Sequence, residues 1–362
     1  MYSREAMEIL QLCPKLPPAI DGIGDYAFTL AKGLLQHNIH THFMTFQSEN
    51  EAESDDCFPS IPLSVDSPQA FVEAIPAQIQ AVVLHYSDYP YDPTYGAPFW
   101  LVKALEAMQR ERSLPLIIVF HEFPSFYLLK KTFYLFPWQQ HVAWKLAKLA
   151  QLIVTNNAAT KTVLANRLQS PITNLPVFSN IGELAKTTPL TQRQKRLIVF
   201  GTRGRRARIY QRSQSMLINS CRLLGIEAIC DVGLSLSLGQ SEIAGIPFIQ
   251  KGEQPANVIS QLLSESFAGI VYSTDNSRLA KSGVFATYCA HGLVPIVTQD
   301  TSPLLDGLQA NEHFLFAGLQ TQNLAIEQLQ AIAKAAHQWY NPHNQMNTVR
   351  DIASQLLTAI SR

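Results

Sequence analysis

Short apolar runs and amphipathic stretches take turns along most of this chain. EILQLCP is followed by GDYAFTLAKGLLQ, HTHFMTF, PQAFVEAIPAQIQ, AVVLHYS, APFWLVKALEAMQR, PLIIVFHE, a long aromatic stretch, QLIVT and NNAATKTVLANRL. The near-continuous apolar runs predict strands buried on both faces, and the stretches between them predict helices. Ala27, Leu30, Ala31 and Leu34 recur at i, i+3, i+4 and i+7, which gives the first helix an inward stripe. Strand and helix in strict turn predict a parallel sheet covered on both sides. The alternation restarts with KRLIVFG and continues through QSMLINSCRLLG, EAICDVG, IPFIQKG, QPANVISQLLSES, AGIVYS, KSGVFATYCAHG and VPIVT. The expected fold class is therefore α/β, with two tandem doubly wound Rossmann-like domains facing a cleft.

Between the two series, ELAKTTPLTQRQKR lacks periodicity and carries charge and a proline, as a linker would. This divides the chain into a first domain over 1–182, a linker over 183–196 and a second domain over 197–335. A helical segment over 336–362 is expected to pack back on the first domain.

Composition narrows the function classes. The chain has 362 residues, 28 basic against 28 acidic, so no net field draws it to nucleic acid or to an anionic membrane. Phosphate binding, if any, is local. The five cysteines contain no C-x-x-C pair and sit mostly in apolar runs, which reads as buried reduced thiols of a cytoplasmic protein. Apolar runs such as LPLIIVF are far shorter than the roughly 18 residues a membrane span needs. Neither an Asp-x-Asp motif nor a His-Glu-x-x-His motif occurs, so no metal site is expected.

Gly22-Ile23-Gly24-Asp25-Tyr26-Ala27 matches the dinucleotide fingerprint letter for letter. That fingerprint requires the first glycine at the end of the strand, and here three prolines and five other residues separate Cys13 from Gly22. Glu49, the acidic residue a ribose would need, falls past the second strand. A nicotinamide or flavin cofactor is therefore not expected. The glycines instead suggest backbone N–H groups open at a helix start.

LPPAIDGIGDYAFTLAKGLL resembles the start of retaining nucleotide-sugar glycosyltransferases of the GT-B fold, of the group 1 or family 4 type. Further stretches resemble that family in its order. IIVFHEFP is similar to its fourth-strand motif, QLIVTNN and LPVFSNIGE to the strands closing its first domain, RLIVFGTRGRRAR to its phosphate loop, and YSTDNSRLAKSGVFATYCAHGLVPIVT to its donor-binding segment. The resemblance implies sugar transfer from a nucleotide-diphosphate donor, without a cofactor or metal, to an unknown glycan, lipid-linked or small-molecule acceptor. Peripheral membrane contact is compatible with it, and a nucleic-acid partner is not expected.

His121, at a strand's carboxyl end, is implied as the catalytic-site contact to the transferred sugar. Gly22 and Gly24 on one side, and Arg203, Arg208, Lys281, Ser282 and Gly283 on the other, are implied as the diphosphate site, with Arg206 competing for the arginine role. Ser282 can cap a helix beginning at Gly283. Where the family carries two glutamates seven residues apart, this chain has Leu279 or a neighbour and Thr287, so Thr287 is the ribose candidate. That departure motivates a second reading, a catalytically inactive nucleotide-sugar-binding protein. An epimerase or phosphorylase on the same fold would need a carboxylate pair or a cofactor lysine, and neither stands out. The aromatic stretch around Phe126, Tyr127, Phe133, Tyr134, Phe136, Trp138 and Trp144 reads as a core helix with loop aromatics, or else as an acceptor surface.

Overall fold

A computed structural model describes residues 6–19, 21–46, 57–63, 67–124, 133–273, 276–298, 305–317 and 324–360. Glu49, Phe126 and Tyr127 lie outside the described residues, as does the side chain of Phe133. The chain forms two compact units, Met1–Leu175 with Gln345–Arg362, and Pro176–Asn344.

In the first unit the elements run β1 (Met7–Leu12), α1 (Gly22–Leu35), β2 (Ile39–Thr45), β3 (Ser60–Pro62), α2 (Pro68–Ala74), β4 (Ala81–Tyr86) and α3 (Asp88–Tyr91). They continue with α4 (Phe99–Arg112), β5 (Leu116–Phe120), α5 (Phe136–Leu149), β6 (Leu152–Thr155), α6 (Ala158–Ala165) and β7 (Ile172–Asn174). The sheet order is β3-β2-β1-β4-β5-β6-β7, and its pairings are parallel. Every residue of β4 and β5 is buried, which is why their sequences read as runs without alternation. Asp21, Ser67 and Asn157 accept backbone N–H groups at the starts of α1, α2 and α6, satisfying donors a bare helix end would leave open.

The second unit runs β8 (Gln194–Phe200), α7 (Arg203–Arg212), α8 (Gln214–Leu224), β9 (Ala228–Val232), β10 (Glu242–Ile243), β11 (Ile246–Gln250) and α9 (Ala256–Ser264). After these come β12 (Ser266–Val271), α10 (Gly283–Ala290), β13 (Val294–Val297), β14 (Leu315–Phe316) and α11 (Ile326–Tyr340). Its sheet has the order β10-β11-β9-β8-β12-β13-β14, with the edge hairpin β10-β11 antiparallel and the other pairs parallel.

Residues 183–196, expected as a linker, fall within this unit. Arg193 is buried there and donates to the carbonyls of Thr188, Ser266 and His291 at 2.9–3.1 Å. The last helix, α12 (Gln345–Ile360), belongs to the first unit, where Val349 lies against Gly33 of α1. Among the described residues no helix is long and apolar enough to cross a membrane. No disulfide joins any of the five cysteines among the described residues, and four are buried; Cys57, expected inside, is exposed, because its run FPSIPL begins only after it.

Candidate functional site

In open parallel sheets the strands' carboxyl ends gather the loops that bind ligands. The first unit's candidate residues lie at such ends. Asp21 closes the loop after β1 and accepts the Gly24 N–H through Oδ2 at 3.1 Å. Gly24 therefore does not offer the open donor expected from the sequence. Its glycine answers a steric need instead, because a Cβ there would collide with the Lys15 carbonyl oxygen. Gly22 has nothing within 4 Å of a Cβ position. Burial and the neighbouring Asp21 push the Asp25 carboxyl up to about 6, so the helix start carries two carboxyl groups. These weigh against a phosphate at this turn.

His121 follows β5 and is 8% exposed. Its Nε2 lies 3.0 Å from Nδ1 of His85, and Nε2 of His85 lies 2.7 Å from Oε1 of Gln11. Gln11 in turn donates from Nε2 to Thr41 Oγ1 at 3.3 Å. The Tyr26 ring meets both imidazoles edge-on, with centroids 5.9 Å from His85 and 5.0 Å from His121. Asn156, after β6, donates to the His121 carbonyl at 3.3 Å. Burial and the neighbouring His121 hold His85 neutral, with its pKa well below the usual histidine value. The sequence reading missed His85, Gln11 and Asp25. Gln11 and His85 nevertheless stand as isolated polar letters near the ends of apolar runs on strands that pair side by side.

In the second unit, Gly201 turns the chain from β8 into α7 at φ +120°, a conformation that favours glycine. A Cβ on Gly201 would come 2.8 Å from Val284 Cγ2, so the β8–α7 turn and the start of α10 are neighbours. The four arginines expected in a loop belong to α7, and they divide. Arg203, Arg205 and Arg208 are exposed, whereas Arg206 is fully buried. Arg206 pairs with Asp231, donates to the Leu234 carbonyl, and reaches the Gly201 carbonyl from Nε at 2.9 Å. Arg206 thus braces the turn and is removed from the phosphate candidates. The Arg208 guanidinium lies 5.7 Å from the Tyr272 ring centroid.

Ser282 caps α10 by accepting from the Phe285 N–H at 3.3 Å, and Gly283 is exposed with nothing near its Cβ position. Lys281 ends the short 3-10 turn that enters this cap. Two exposed guanidinium groups in the first turn of α7, Arg203 and Arg205, stand where the helix dipole is already positive, an arrangement an anion would relieve, and exposed Arg208 follows in the next turn. Thr287 does not fit its expected role. It is 1% exposed and its hydroxyl pairs with Ser179 Oγ at 3.1 Å, because α10 is buried on nearly every side. Leu279 is likewise buried. Among the described residues no group of three or more His, Cys, Asp or Glu could hold a metal ion.

Two seven-stranded, parallel-dominated sheets in tandem define a GT-B fold, and solved structures share it over nearly the whole chain. HepE of Anabaena in complex with UDP and glucose superposes with a TM-score of 0.64 at 14% identity, covering 97% of this chain and 99% of HepE. A putative UDP-N-acetylglucosamine 2-epimerase from Listeria monocytogenes gives 0.63 at 14% identity, covering 98% and 97%. An alpha-glucosyltransferase bound to UDP and a 13-mer DNA gives 0.60 at 9% identity, covering 98% and 100%. No protein-family model matches the sequence, and no curated protein does.

Proposed function

We propose that this protein is a glycosyltransferase that moves a sugar from a nucleotide-diphosphate donor. The observation that carries the reading is the corner of the second unit where Gly201 meets Val284, with exposed arginines on α7 and the capped start of α10 side by side. That corner collects fixed bidentate donors and helix N–H groups, the equipment a diphosphate requires. UDP in the HepE and alpha-glucosyltransferase structures supports the same reading.

Breaking the glycosidic bond builds positive charge on the sugar ring and negative charge on the departing diphosphate. The largest protein contribution is then electrostatic stabilisation of the leaving group. Arg203, Arg208, Lys281 and the α10 start at Ser282-Gly283 take that role, in place of a metal ion. Gly24 is a packing residue, and the carboxyl pair of Asp21 and Asp25 at the start of α1 takes Gly22 out of the diphosphate role. His121 contacts the transferred sugar, and the reaction retains configuration. The aromatic stretch supplies an acceptor surface: Tyr134 and Trp138 are 63% and 58% exposed, and Phe99 packs edge-on to Trp138 at 6.0 Å.

A second reading has its own observation. With Leu279 and Thr287 buried where the family has glutamates, the chain binds the nucleotide sugar without turning it over. Incubation with labelled UDP-, GDP- and ADP-sugars separates the two, using glycan, lipid-linked and DNA acceptors. Release of free nucleotide with transfer of label supports the enzyme, and binding without release on any acceptor supports the inactive form.

A further inference from the structure

We propose that Tyr288 is a positioning residue that sets the two halves of the Gly201–Ser282 corner against each other, so that the β8–α7 turn and the start of α10 hold one diphosphate between them. The clause about the diphosphate rests on the glycosyl-transfer reading; the setting of the turn does not.

Strand order in the second unit's sheet reverses between β8 and β12, since the chain passes from β8 to β9 on one side and β12 lies on the other. Open α/β sheets take their ligands outside the carboxyl ends of such a pair. The two strands pair only as far as Ala268 with Leu197 and Gly269 with Ile198. Beyond that point each keeps its outer neighbour, β8 up to Phe200 with Val232 and β12 up to Val271 with Val297. The carboxyl ends have parted, and the backbone groups along the gap need other partners.

Tyr288, fully buried on α10, supplies them. Its hydroxyl accepts from the Phe200 N–H at 3.2 Å and turns its own proton toward the carbonyls of Ile198 and Ile270, at 3.2 and 3.3 Å. Burial pushes the phenol's pKa up, so it keeps the proton this needs. Gly269 makes the room: a Cβ there would come 2.7 Å from the Tyr288 ring, which accounts for a glycine inside a buried strand. Val284, one turn earlier on the same face of α10, is the residue against which Gly201 lies. The helix that offers its capped start to an anion therefore also grips the strand leading into the opposite turn.

Arg206 completes the grip. Its Nε holds the Gly201 carbonyl at 2.9 Å, and in a trans peptide this points the Thr202 N–H the opposite way, away from the buried guanidinium. Thr202 makes no side-chain cap bond, so its hydroxyl takes none of the first N–H groups of α7. With the Phe200 N–H and the Gly201 carbonyl both spent on buried side chains, the turn cannot rotate without breaking two bonds.

The test follows hydrogen exchange of the Phe200 amide in the full chain, read in proton–nitrogen correlation spectra, and in parallel titrates UDP, GDP and ADP by calorimetry. In wild type without nucleotide the Phe200 amide is expected to exchange slowly. Exchange at the rate of an exposed loop overturns the proposal, and this outcome needs no variant. Tyr288→Phe keeps the ring and removes the hydroxyl. It is expected to release the Phe200 amide and to weaken the nucleotide that wild type binds on the order of tenfold, the effect of one lost buried hydrogen bond. Ser266→Ala is the control, since it removes a buried hydroxyl bonded to Arg196 and Leu262 at the amino end of the same β12. It is expected to lower the melting temperature while leaving nucleotide affinity and the Phe200 amide as in wild type. Wild-type affinity in Tyr288→Phe, or an equal loss of affinity in the two variants, would reduce Tyr288 to a packing role and overturn the proposal. If wild type binds none of the nucleotides while Phe200 is protected in it and released in Tyr288→Phe, the donor reading falls and the setting of the turn stands.

Discussion

Gly22 and Gly24 sit one residue apart and answer to different forces. A methyl group at 24 would occupy the place of the Lys15 carbonyl oxygen, whereas one at 22 meets open space. Gly24→Ala is therefore expected to destabilise the first unit, and Gly22→Ala to stay within about 0.5 kcal/mol of wild type. Urea unfolding reads both, and equal effects would contradict the packing assignment. Arg206 and Asp231 are similarly decisive. Asp231→Ala leaves a buried guanidinium without its carboxylate, a loss of about 3–5 kcal/mol in the same assay.

A pH effect belongs to this scale too. His291 is fully buried, its Nδ1–H given to the Thr287 carbonyl at 2.8 Å, and burial lowers its pKa from the ordinary 6.5 to about 4. The unfolded chain then binds a proton that the folded chain refuses between those values. Stability from this group is complete above pH 6.5, declines as pH falls to about 4, and is constant below. His291→Asn, which keeps an N–H for Thr287, should weaken the slope of unfolding free energy across that window. An unchanged slope would contradict the assignment. In sequence, Arg206 was taken as a competitor for the phosphate role, and the missed signal was its helical spacing with Ile209 and Tyr210, which carries it into the core with them. Which amide and imidazole nitrogens meet was not readable, because that depends on strand register.

At the scale of elements, α7 and α10 present their starts to one corner. Ser282→Ala removes the cap to Phe285 and should cost about 1 kcal/mol. Helix α5 raises a separate question. Its buried positions are Gln139, Val142, Ala143, Leu146 and Ala147, while Trp138 points outward. Trp138→Ala is expected to raise KM for the acceptor and leave donor affinity unchanged; a change confined to donor affinity would contradict an acceptor surface.

The elements themselves were legible. Buried parallel strands wrote continuous apolar runs, and Ser282 was read as a cap, while the caps Asp21 and Asn157 were not. Residues 183–196 are polar in letters, yet Leu190, Arg193 and Arg196 are buried and both guanidinium groups bond to Ser266. Local polarity cannot show that a distant strand will take those guanidinium groups.

For the whole molecule, order along the chain was the informative signal, and single motifs were not. The Gly22-to-Ala27 match suggested a cofactor fold that the position of Gly22 after its strand already argued against. Two alternating series predicted two doubly wound sheets, and the observed strand orders agree with that class. Identity of 14% or less to the solved GT-B structures considered means that fold is shared while the site chemistry rests on this chain's own residues. The central claim is that the Gly201–Ser282 corner holds a nucleotide diphosphate. Thermal melting of wild type and Arg203→Ala across UDP, GDP, ADP and their sugars tests it most directly. The account predicts that one nucleotide series stabilises wild type, by about 2.7 kcal/mol at a hundredfold excess over Kd, and fails to stabilise Arg203→Ala. No shift with any of them, or an equal shift in both proteins, would contradict it.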